Sequence, residues 1–164
     1  MAITDISRKW RIIGGAAAAV TATAVAGSAA TKPDSWWYVT RRKPSFQPPK
    51  WTFPVAWTAL YADIAAVTGL SLADLDARGN TRKRTELTGA LALNLGLNAS
   101  WSAVFFRGKN PALATFTSAA LTASSADLAR RCMDVDSTRG AWLLPYPAWC
   151  AFATALSAAI WKKN

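Results

Sequence analysis

The chain has 164 residues, 52% of them hydrophobic and 17% charged, where an ordinary soluble protein carries about 25% charged residues. Its 19 Lys and Arg outnumber nine Asp and Glu for a formal charge of +10, but they sit in short blocks at the ends of apolar runs, where they meet lipid headgroups and not nucleic acid. There is no histidine, which excludes a His-based triad, a His-ligated zinc and a His-ligated haem together.

Between the blocks lie nearly charge-free stretches at about residues 12–30, 51–72, 87–106, 111–126 and 141–161, read as helices over about 10–30, 51–72, 86–106, 111–131 and 141–161. A helix needs about 20 such residues to cross a hydrocarbon layer about 30 Å thick. The expected fold is therefore all-α, a five-transmembrane-helix membrane bundle forming one integral membrane domain over residues 1–164. A soluble Ala-rich bundle would carry charge every few residues on its wet face, and these stretches do not. The fourth reaches spanning length only by taking in Asp127. The first, RKWRIIGGAAAAVTATAVAGSAA, also has the basic start, apolar middle and small-residue end of a secretory signal peptide; we read it as a retained helix. Lys and Arg divide almost evenly between the two sides of such a bundle, so the positive-inside rule leaves orientation open.

The first loop, residues 31–50, reads TKPDSWWYVTRRKPSFQPPK. Its prolines hold it partly extended, and its aromatics fit either a lid over one end of the bundle or an interfacial belt. In the second stretch Trp57, Tyr61, Ile64 and Thr68 share one side. Asp63 points away from them and must be neutral, paired or turned toward a cavity. The third stretch has two faces at about 100° per residue. Gly89, Ala92, Gly96 and Ser100 form a small-residue stripe that lets helices approach closely, within the monomer or as a dimer face. Asn94, Asn98, Trp101 and Phe105 lie nearly opposite, and amides in hydrocarbon need partners. Cys132 follows the fourth stretch while Cys150 lies about 10 to 15 Å deeper along the fifth, which argues against a disulfide. The fifth stretch lines up Trp142, Pro145, Tyr146, Trp149, Ala153 and Leu156, with Pro145 and Pro147 expected to bend or widen it. Three aromatic stripes converging would line an apolar pocket; they could equally be packing aromatics.

These residues resemble the translocator protein family, also called the tryptophan-rich sensory or peripheral benzodiazepine receptor family. The first motif is WWYVTRRKPSFQPPKWTFPVAWTALY, through Trp37, Tyr38, Lys43, Pro44, Pro48, Pro49, Trp51, Phe53, Trp57, Leu60 and Tyr61. A second is carried by Leu97, Asn98, Trp101, Phe105 and Phe106, and a third by Leu143, Leu144, Pro145, Tyr146 and Trp149. The resemblance implies a five-helix membrane bundle, usually dimeric, with a pocket beneath the first loop that binds porphyrins such as protoporphyrin IX and haem. Sterols are bound in the animal branch, as are synthetic isoquinoline or benzodiazepine ligands. Carried over, the ligand-binding residues would be Trp51, Phe53, Trp57, Tyr61, Asn98, Trp101, Phe105, Tyr146, Trp149 and Ala153. Arg41, Arg42, Lys43 and Lys50 would meet porphyrin propionates at the mouth, or else anchor headgroups. Ser157 stands where the family usually has Asn, and the tail ALSAAIWKKN has no tyrosine between Leu156 and Lys162, which argues against specific sterol binding.

The expected function is tetrapyrrole binding, of protoporphyrin IX or haem, for porphyrin transport, sensing or stress-linked regulation in the cell membrane by a multi-pass protein. Two alternatives stand beside it: tryptophan-assisted photo-oxidative degradation of porphyrin, and a stress-regulatory membrane scaffold. No acid–base pair, nucleophile–base pair or metal cluster supports conventional catalysis, so no catalytic residue, metal ligand or obligatory cofactor is assigned. The expected partners are the porphyrin, the lipid bilayer and a second copy of the chain through Gly89, Ala92, Gly96 and Ser100.

Overall fold

The structure, a computed structural model, describes residues 3–164. Its helices are α1 (Ile3–Ala30), α2 (Trp36–Val39), α3 (Thr52–Ala77), α4 (Thr81–Ser102), α5 (Pro111–Met133), α6 (Ser137–Ala141) and α7 (Pro145–Lys163), and α4 runs on as a π-helical turn over Ala103–Arg107. The five long helices form the expected bundle. Local chemistry sets their ends. Gly79 takes a φ of 63°, open to a residue without Cβ, and Asn80 then caps α4 by accepting from Lys83 N at 3.1 Å. Asn110 accepts from Leu113 N at 3.0 Å to cap α5, with Pro111 in its first turn, where a missing N–H costs nothing.

The fifth span differs from expectation at its start. Residues 142–144 form a turn, and α7 proper begins at Pro145. Pro145 and Pro147 thus lie in its first turn and start the helix, where they had been expected to bend one already running. Trp142 is left outside the helix, 70% exposed. The short α6 before this turn sits against the end of α5. A Cβ on Gly140 would lie 2.2 Å from Met133 N, so only glycine permits that approach.

Around the bundle, α3 packs on α1, α1 on α4, α4 on α5 and α5 on α7. Aromatic rings close the circuit between α7 and α3: Trp57 meets Tyr146 at 6.3 Å and Phe53 meets Trp149 at 6.0 Å between ring centroids. Val20, Ile64, Leu87, Leu91, Leu121, Leu128 and Leu143 form the central apolar core. Both cysteines are free and buried.

Among the described residues four helices are long and apolar enough to cross a membrane, spanning Asp5–Ala30, Thr52–Ala77, Thr81–Arg107 and Ser137–Lys163. The exception is α5, whose last turns carry Asp127, Arg130 and Arg131. It is flanked by α4 and α7, and two of its hydroxyls meet α7: Ser118 Oγ and Thr122 Oγ1 lie 2.8 and 3.2 Å from Thr154 Oγ1. Interhelical hydroxyl contacts of this kind replace the apolar character that α5 lacks.

Charged residues gather at the two ends. At the α3–α4 end, Asp76 pairs with Arg8 at 2.7 Å and also with Arg84. Arg139 binds Asp74 at 2.6 Å, while Arg131 binds Asp127 at 2.6 Å and Glu86 at 3.6 Å. Five elements are tied together there. At the other end the described residues show one ion pair, Lys50 with Asp34 at 2.8 Å.

Candidate functional site

That second end is covered by residues 31–50. Tyr38 of α2 is buried against Phe105 and Phe106, with ring centroids 5.9 and 5.4 Å away, and Trp37 meets Phe105 at 5.6 Å. Trp36 instead points outward, 82% exposed. The loop therefore divides the two roles its aromatics suggested, Tyr38 and Trp37 acting in a lid and Trp36 facing outward as a belt residue would. Phe105 and Phe106, neighbours in the π-helical turn, both face inward at 3% and 9% exposure.

Beneath the lid lies a cavity of about 390 Å³, within the usual size range of small-molecule sites. Phe53, Trp57, Tyr61, Asn98, Trp101 and Phe105 line it, as the sequence had suggested. Trp57 stacks on Tyr61 at 5.3 Å, and Trp101 on Phe105 at 5.6 Å. The other named residues lie elsewhere. Trp51, the residue before α3, is 67% exposed and outside the lining. Tyr146 is fully buried behind Asn98, Trp149 is half-buried between Phe53 and Phe152, and Ala153 sits further along α7.

A chain of hydrogen bonds runs from the cavity wall into the core. Tyr61 Oη donates to Asn98 Oδ1 at 2.8 Å, and Asn98 Nδ2 donates to Tyr146 Oη at 3.0 Å. Tyr146 Oη donates to Asn94 Oδ1 at 2.8 Å, and Asn94 Nδ2 donates to Ser124 and Ser125 Oγ at 3.3 and 3.2 Å. The amides of α4 thus find partners on α3, α5 and α7, which answers their cost in hydrocarbon. Two residues of the lining each keep a polar atom enclosed by protein: Trp101 Nε1 and Gln47 Oε1 are buried with no hydrogen-bond partner among the described residues. Asp63 is half-buried in α3 and likewise has no hydrogen-bond or ion-pair partner there.

Sequence reasoning did not name the α1 wall or Gln47. Ala24, Gly27 and Ser28 complete the lining from α1, where smallness is the only signal: a Cβ on Gly27 would sit 3.7 Å from Tyr61 Oη and Ser102 Oγ. The loop cations have separate positions. The Arg41 guanidinium lies 5.0 Å over Trp37, the Lys43 ammonium 4.6 Å over Tyr38, and Arg42 is exposed. Lys50 lines the cavity mouth. Burial pushes the Tyr38 phenol above its ordinary pKa, so it stays a neutral hydrogen-bonding group; Gln47 Nε2 donates to it at 3.2 Å. On the far side of α4, Gly89, Ala92, Gly96 and Ser100 are all exposed, and a Cβ on either glycine would meet nothing within 4 Å.

The sequence profile of the TspO/MBR family matches residues 15–162, from the middle of α1 to the end of α7. The chain belongs to the TspO/MBR family. The Tryptophan-rich sensory protein of Cereibacter sphaeroides is 31% identical over 148 residues, covering 90% of this chain and 88% of that protein. The Tryptophan-rich protein TspO of Archaeoglobus fulgidus is 36% identical over 151 residues, covering 89% and 92%. More distant is the Translocator protein of Sus scrofa, 29% identical over 128 residues and covering 78% and 75%. Family membership and the long apolar helices together make the chain an integral membrane protein.

Proposed function

We propose that this TspO/MBR family member binds a flat, apolar tetrapyrrole beneath its lid, in the cell membrane, as a porphyrin transporter or sensor. The observation that carries this reading is the cavity of about 390 Å³ bounded by Phe53, Trp57, Tyr61, Trp101 and Phe105. Stacked aromatic contacts add about 0.5–1.5 kcal/mol per pair beyond the burial of area, which favours a planar π-rich guest. Protoporphyrin IX is the reference ligand. Haem gains little over it unless Tyr38 or Tyr61, which line the cavity, supplies an axial ligand, because the chain has no histidine and neither cysteine lines the cavity. The outward small-residue stripe of α4 is the surface we assign to a homodimer.

Titration of the detergent-solubilised protein with protoporphyrin, followed by porphyrin absorbance, tests the reading. Wild type should saturate, Trp57→Ala should bind about tenfold more weakly, and Trp51→Ala should stay within about twofold. Linear, unsaturable uptake, or wild-type affinity in both Trp57→Ala and Trp101→Ala, would exclude this cavity as the site. Illumination of the complex in air separates binding from the degradative alternative, since only the latter yields an opened, bilin-like product lost in the Trp57 variant.

A further inference from the structure

We propose that Lys50 is the anion-recognising residue of the cavity and that a ligand carboxylate takes it over from Asp34. The inference rests on the ligand-binding reading above and narrows the ligand to an amphipathic acid, a flat apolar body with a carboxylate at its edge. Among the residues that line the cavity, Lys50 alone carries a charge. Two other loop cations are held on aromatic faces of the lid, Arg41 on Trp37 and Lys43 on Tyr38. Arg42 has its backbone bound by Asn164 and its side chain outside the lining.

Lys50 Nζ lies 2.8 Å from Asp34 Oδ1. The two residues lie near the two ends of the lid, one just before α2 and the other just before α3, so their pairing ties those ends together. Their side chains are 60% and 85% exposed, and ion pairs so open to water are weak and readily exchanged. A ligand carboxylate arriving with an apolar body makes the same contact at the edge of a less polar space, where it is less screened. Asp34, released, returns to water that already surrounds it. Lys50 keeps one carboxylate partner in either state.

The test uses the full chain in detergent with protoporphyrin IX and its dimethyl ester, which differ only in the carboxylates. Wild type should prefer the acid by about fivefold. Lys50→Gln should bring the acid-to-ester ratio to about one, and Asp34→Asn should strengthen acid binding by about twofold. Removing equal or greater charge from the same end, in Lys162→Gln/Lys163→Gln, should leave the acid-to-ester ratio intact. A ratio that survives Lys50→Gln, equals one in wild type, or falls as far in the Lys162/Lys163 variant overturns the proposal while the cavity reading stands. Saturable binding of neither compound removes both.

Discussion

At the scale of single residues, Asn98 does the most joining. It accepts from Tyr61 and donates to Tyr146, so helices α3, α4 and α7 meet at one amide. Asn98→Leu keeps the branching of the side chain while removing the acceptor of Tyr61 and one of the two hydrogen bonds at Tyr146 Oη. We expect a loss of about 1–2 kcal/mol, read as a lower thermal midpoint by circular dichroism in detergent; an unchanged midpoint would show that the phenols find partners elsewhere. The amide side of this arrangement was legible, because Asn94 and Asn98 recur four apart on a segment otherwise apolar. Its phenolic side was not, since no periodicity links Tyr61 with Tyr146 across 84 intervening residues of sequence. Trp51 illustrates the same limit. It shares a motif with Trp57, but six residues of helix turn a side chain by about 240°, so adjacency in a motif does not imply a shared face.

At the scale of elements, the apolar runs located the five long helices, four of them apolar enough to cross a membrane, and the ends were set by chemistry that hydropathy does not see. Proline in an apolar run reads as a kink or as a start, and the buried fit of Gly140 against Met133 decides for a start by placing a turn ahead of α7. The π-helical turn has no sequence period at all; only the inward placement of two neighbouring phenylalanines reveals it. The two faces of α4 were legible because small and amide residues alternate with helical spacing. Within one chain the small face touches no other helix, leaving it free for the dimer proposed above. Gly96→Leu should therefore shift the protein toward monomer in light scattering of the detergent complex, without lowering its thermal midpoint. A dimer that persists in this variant assigns the interface to another face.

At the scale of the whole molecule, the two ends are built differently. One is bound by ion pairs from Asp74, Asp76, Glu86 and Asp127 to arginines on α1, α4, α5 and α6. The other is closed by a loop whose far edge is clasped by the C-terminal residue: Asn164 accepts from Arg42 N at 2.9 Å and donates to Arg42 O at 3.1 Å. Asn164→Ala should free that edge and speed tryptic cleavage after Arg41 and Arg42 by about fivefold; an unchanged rate would mean that Tyr38 packing alone holds the lid. The sequence carries a trace of this inequality, because the basic residues are shared almost equally between the ends while most of the acidic ones, Asp74, Asp76 and Glu86 among them, fall at the first. A tube pinned at its foot and merely buttoned at its rim behaves as a pair of tweezers. Warming, solvent or an arriving guest will part the rim first, while the foot keeps the spans in register and ready to close again.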